Sequence, residues 1–180
     1  MSFVQDIYSF RFKKVFVICA AYYKTGGTEV LHQLVYNINR LGGNAYITYI
    51  RLYDSPSLCN PAFSEYVKDH ILEIDDIEDV EGNAIVIPEG YPEYNARFSH
   101  AYKMLWWLSV DNFEGIYKFD DKKIDKVHEE FRDTISLHLT QSEYAYEYLI
   151  GKGVPKDRIL HLGDYLNDVY FSATGGASLL

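Results

Sequence analysis

Cysteine is scarce in this sequence. The two that occur, Cys19 and Cys59, show no metal-ligand spacing and suggest no disulfide framework, which fits a reducing cytosol. Cys19 lies inside an apolar run and reads as a small core residue. Positive charge is also in deficit: Lys and Arg number 17 against 26 Asp and Glu, a formal net charge of −9. That balance argues against nucleic acid as a main partner, because a phosphate backbone needs clustered cations. It leaves at most peripheral contact with an anionic membrane. No apolar run approaches the length that spans a bilayer. The run 15–21, preceded by basic residues, has some features of a secretory leader. It is short and β-branched, and a glycine turn follows it at once, so it reads as a buried first strand.

Several chemical signatures are missing. Neither the Gly-Lys-Ser/Thr phosphate loop nor the Gly-x-Gly-x-x-Gly dinucleotide fingerprint occurs. No Gly-x-Ser-x-Gly elbow is present. The histidines His32, His70, His100, His128, His138 and His161 are scattered without metal-ligand spacing, so no bound metal is expected. His138 reads as a core residue within a strand. There are no internal repeats and no low-complexity tracts.

What is present is a rich apolar inventory. Hydrophobic residues make up 48% of 180, enough for one domain with a real core. The 17 tyrosines could stack on sugar faces, although half-buried strand and helix positions account for many of them. Continuous apolar runs at 15–20 and 84–87 have the character of parallel strands buried on both faces. Further strands are expected over 45–50, 103–110, 135–140 and 158–162. Between them, the three-and-four spacing of Val30, Leu31, Leu34, Val35, Ile38 and Leu41 predicts a helix over 28–41, stopped by Gly42-Gly43. Short helices are expected over 63–70 and 91–101, and a charged, helical or irregular segment over 120–131. A helix capped by Ser142 should end at Gly151 or Gly153. The acidic stretch 73–82 reads as a solvated connection. Strands alternate with helices throughout, which is the pattern of a doubly wound α/β domain with a mainly parallel sheet.

In such sheets ligands bind at the carboxyl ends of the strands, so the candidate site is a set of loops. The first is Lys24-Thr25-Gly26-Gly27-Thr28-Glu29, where two glycines admit a close ligand and the helix behind presents free N–H groups; an anion or a sugar hydroxyl would suit. The second is Pro88-Glu89-Gly90-Tyr91-Pro92-Glu93, a rigid turn carrying carboxylates. The third, Ser109-Val110-Asp111-Asn112-Phe113, is expected as the loop closing the strand of Trp106 and Trp107. Those two tryptophans read as core rather than as a sugar platform, and Asp111 could bind a hydroxyl or cap a turn. The fourth is Thr140-Gln141-Ser142-Glu143, in which Ser142 is already explained as a helix cap.

The stretch Leu137-His138-Leu139-Thr140-Gln141-Ser142 through Gly151-Lys152-Gly153-Val154-Pro155 to Leu162-Gly163-Asp164 resembles, nearly position for position, the last βαβ unit of the N-terminal domain of GT-B glycosyltransferases. The resemblance extends over roughly 14–171. Gly26, Gly27 and Glu29 match the Gly-Gly-x-Glu segment that commonly follows the first strand in the family-4 type. It implies a Rossmann-like, doubly wound domain over 1–171, with helices on both faces, forming the acceptor-side half of the enzyme. Residues 172–180 would be a tail or a truncated linker. It also implies sugar transfer from a nucleotide-sugar donor to a glycan or lipid-linked acceptor, in cell-envelope polysaccharide synthesis, in the cytoplasm or at the inner face of the membrane. The donor-binding domain would lie in the same chain or a partner, and the 180 residues alone should not turn over. The implied cleft residues are Gly26, Gly27, Glu29, Glu89, Gly90, Ser109, Asp111 and Ser142. Many related enzymes carry a histidine where Ser109 or Asp111 stands here, so no catalytic residue is carried over. A non-catalytic binding module, or the partner subunit of a split glycosyltransferase, is the alternative. A nucleotide-binding domain of other chemistry would lack its fingerprint.

Overall fold

The computed structural model describes residues 12–163. The tail read over 172–180, and residues 1–11 and 164–171 of the expected domain, lie outside the described residues.

Seven strands form one all-parallel sheet: β1 (Val15–Ala20), β2 (Ala45–Ile50), β3 (Ile71–Glu73), β4 (Ala84–Pro88), β5 (Tyr102–Trp107), β6 (Leu137–Thr140) and β7 (Ile159–His161). Their spatial order is 3-2-1-4-5-6-7, with β1 at the centre between β2 and β4. This is a Rossmann-like doubly wound fold. Every residue of β1 and β4 is buried, as their unbroken apolar runs require.

Alternate side chains feed two cores. Phe16, Ile18, Ile85, Ile87, Leu105 and Trp107 point to one face, and Val15, Val17, Cys19, Val86, Met104 and Trp106 to the other. Helix α1 (Gly26–Arg40) covers the second face with Leu31, Val35 and Ile38. Over the first face lie α3 (Val110–Ile116), α4 (Asp121–Thr134) and α5 (Glu143–Gly151), through Phe113, Ile124, Phe131 and Leu149. The short α2 (Ser64–Val67) adds Val67 beneath α1.

Five local readings are corrected, the first being that the strand expected over 103–110 ends at Trp107. Helix α1 starts at Gly26, because the Thr25 hydroxyl accepts the Thr28 N–H at 3.2 Å while the Thr28 hydroxyl accepts the Thr25 N–H at 2.9 Å. The glycines therefore form its first turn instead of a loop. The 63–70 helix is shorter, α2 alone, and the edge strand β3 follows it. The segment after β4 is a 3-10 turn, Pro92–Arg97. Residues 111–113 are not a loop but the body of α3, because Ser109 caps it by accepting the Asn112 N–H at 3.2 Å.

The acidic connection has a defined anchor. Asp79 accepts the N–H groups of Ser99, His100 and Ala101 at 2.9, 3.0 and 2.8 Å, fixing the entry to β5. Partial burial works against its charge, but the three N–H bonds together outweigh it and hold the carboxyl below its ordinary range.

Candidate functional site

The connections leaving β1 and β4 diverge to opposite faces of the sheet: α1 packs on one, and Phe98, following the 3-10 turn, on the other. A crevice opens between their carboxyl ends, as expected at a topological switch point. Its volume is about 510 Å³. It is walled by the first turn of α1, the turn after β4 and the residues after β5.

The α1 wall is backbone. A helix leaves its first N–H groups without intrahelical partners, and here Thr25 satisfies only that of Thr28. Gly26 and Gly27 border the crevice. A Cβ at Gly26 would meet nothing within 4 Å, so the ligand side is open there. A Cβ at Gly27 would stand 3.5 Å from Leu108 Cδ1, which shows how closely the β5 exit approaches α1.

Glu89 ties the other two walls together. Its N–H donates to the Trp106 carbonyl at 3.0 Å, extending the ladder one residue beyond β4. The Tyr91 N–H returns to the Pro88 carbonyl at 3.0 Å and closes the turn. The Glu89 carboxylate then reaches across the end of β5 and accepts the Leu108 N–H on Oε2 and the Ser109 N–H on Oε1, each at 2.9 Å. It is only 4% exposed, yet it borders the crevice. Burial pushes its pKa up to about 7, against the backbone N–H bonds that favour the charged form. The arrangement can offer hydrogen bonds of both polarities to a polar ligand, and it holds a carboxylate poised to titrate near neutrality.

The structure brings Gly26, Gly27, Glu89, Gly90 and Ser109 to one crevice. The other three expected residues are engaged beside it. Glu29 accepts the Tyr66 hydroxyl at 3.2 Å and the Gln33 amide at 3.5 Å. Asp111 accepts the Tyr144 hydroxyl at 3.1 Å. Ser142 caps α5, accepting the Ala145 N–H at 3.2 Å, while its neighbour Gln141 borders the crevice. Thr25, Thr28, Asn112 and Gln141 lay within the expected loops without being singled out, and Leu31, Leu108 and Ile116 lay outside those loops. The signals were there: Thr25 precedes the glycines at N-cap spacing, and Asn112 lies three residues after a capping serine.

A larger cleft of about 760 Å³ lies at the opposite end of the sheet, bordered by Asn83, Asn95, Ser99 and Lys103. It lies at the amino ends of the strands, where no helix N-terminus is presented to a ligand. The Lys103 ammonium is also engaged there by the carbonyls of Asn95 and Phe98, at 3.1 and 2.9 Å. Both tryptophans of β5 are buried in the core, and the Trp107 indole N–H donates to His138 Nδ1 at 3.0 Å. Among the described residues no group of three or more His, Cys, Asp or Glu converges as a metal cluster, and no helix is long and apolar enough to cross a membrane.

Comparison with protein-family models, with curated proteins and with solved structures finds no match for this chain.

Proposed function

We propose that this domain is the acceptor-side half of a GT-B glycosyltransferase, moving a sugar from a nucleotide-sugar donor to a glycan or lipid-linked acceptor. The single observation that carries the reading is the crevice at the β1/β4 switch point, where Gly26 and Gly27 of the Gly-Gly-x-Glu segment face the turn of Glu89 and Gly90. Backbone N–H groups, a carboxylate and small side chains in one crevice suit sugar hydroxyls. The reaction would run in the cytoplasm or at the inner face of the membrane, within cell-envelope polysaccharide synthesis.

The donor would be held by a second domain, in the same chain or a partner, since transfer needs both substrates positioned and water excluded. Exposed apolar side chains favour such a neighbour. Tyr23, Leu52 and Tyr53 stand in the segments leaving β1 and β2, and Tyr23 packs edge-on against Tyr53 at 5.3 Å. The same surface favours the alternative of a partner subunit in a split enzyme.

Two experiments test the proposal. Residues 1–180 incubated with a panel of sugar nucleotides and saccharide acceptors should show no transfer; robust turnover would sink the half-enzyme reading. Gly90→Leu places a side chain where nothing lies within 4 Å, so stability should stay within about 0.5 kcal/mol while acceptor binding is lost. Undiminished saccharide binding by this variant would place the site elsewhere.

A further inference from the structure

The crevice contains almost no formal charge. Among the described residues that border it there is no Lys, Arg or His, and Glu89 is the one acid. Lys24 precedes the capping Thr25, but it is exposed and outside the lining. The remaining walls are hydroxyls, amides and apolar side chains: Thr28, Asn112 and Gln141 beside Leu31, Leu108 and Ile116.

Among the described residues Glu89 has no cationic partner, and the hydrogen bonds to its two oxygens come from backbone N–H groups, in a site that is 4% exposed. Backbone dipoles stabilise such a charge locally but do not cancel its field, and burial lets that field act at short range with little screening. Two more carboxylates, Glu93 on the 3-10 turn and Asp111 on α3, flank the walls. The free N–H groups of the α1 first turn would by themselves welcome an anion. Glu89, facing them across the crevice, opposes one.

We infer that the crevice selects an uncharged saccharide over its phosphorylated or uronic-acid counterpart, with Glu89 as the discriminating group. This rests on the acceptor-site reading above and narrows it to a neutral glycan terminus. The amides and hydroxyls meet the sugar's hydroxyls, and Leu108 and Ile116 meet its apolar face. Glu89 accepts a hydroxyl from a neutral sugar but repels a phosphate or carboxylate.

The test is saturation-transfer NMR at low salt and pH 8, where Glu89 is ionised, on the full 180-residue chain. The neutral probes are methyl pyranosides of the gluco, galacto and manno series. The charged probes are glucose 6-phosphate and methyl glucuronide. At least one neutral probe should bind, and the charged probes should bind at least about fivefold more weakly. Glu89→Gln should narrow that ratio at least about threefold. Should that variant fail to fold, Ile116→Lys, at an exposed lip of the crevice, should shift the ratio the same way. Charged probes that bind as tightly as neutral ones to the unaltered chain would overturn the inference while leaving the acceptor reading standing. Binding of neither kind would remove the acceptor reading and the inference with it.

Discussion

At the scale of single residues, Glu89 joins stability to the crevice. In the folded chain its carboxyl is raised from 4.5 to about 7, with burial as the dominant cause. Between these values the native state holds a proton that the unfolded chain has released. Its contribution is therefore fully present below pH 4.5 and is lost as pH rises through 7. Urea unfolding at pH 5 and pH 8 should show the unaltered chain losing about 3 kcal/mol relative to Glu89→Gln; a difference that does not change with pH would contradict the burial argument. Trp107 makes a second prediction. Trp107→Phe leaves His138 Nδ1 buried without its donor, which should cost about 1–3 kcal/mol by denaturant unfolding, beyond the lost volume. The readability of residues followed the range of the forces involved. The core assignment of Cys19, Trp106 and His138 came from the apolar runs around them. The role of Glu89 as a clamp was not readable, because Leu108 and Ser109 reach it only after β4 and β5 pair.

At the scale of elements, caps decided the boundaries. The strands announced themselves by composition wherever both faces were buried, as in β1 and β4. β3 was missed because it has three residues and no alternation long enough to read; pairing with β2 makes it a strand. The starts of α1 and α3 were set by Thr25 and Ser109, single hydroxyls whose capture of an N–H outweighs the weak local preferences of Gly-Gly and Asp-Asn. The stop of α1 at Gly42 was legible, since its φ of 87° is one that glycine adopts without strain. The caps also separate structure from function. Ser142→Ala should cost about 1 kcal/mol in denaturant unfolding and leave saccharide binding unchanged, because the hydroxyl is committed to Ala145. Thr25→Ala should cost a similar amount, about 1 kcal/mol, and should also weaken binding, because it loosens the turn that walls the crevice.

At the scale of the whole molecule, the doubly wound order was legible from the alternation of strands and helices, and it fixes where the crevice must be. The convergence of the glycine turn, the proline turn and the β5 exit on one crevice follows from that order, not from any spacing along the chain. Acid sensitivity is also a property of the whole. His32, His128 and His138 are buried, and burial lowers their pKa values to about 4, 4 and 3. Each stays neutral in the fold while the unfolded chain takes a proton, so their contribution is present above pH 6.5 and lost as pH falls toward 4. Three such groups oppose Glu89, and the melting temperature should fall below pH 6; a flat profile from pH 7 to 5 would contradict this. The most direct test of the central claim is an amide-resolved NMR titration of the chain with methyl pyranosides and, separately, with nucleotide sugars. The predicted result is saccharide-dependent shifts at Gly26, Gly27, Gly90 and Ser109, with no response of these amides to the nucleotide sugars. Shifts of the same amides with nucleotide sugars alone would contradict it, making the crevice a nucleotide site and the acceptor-side assignment wrong.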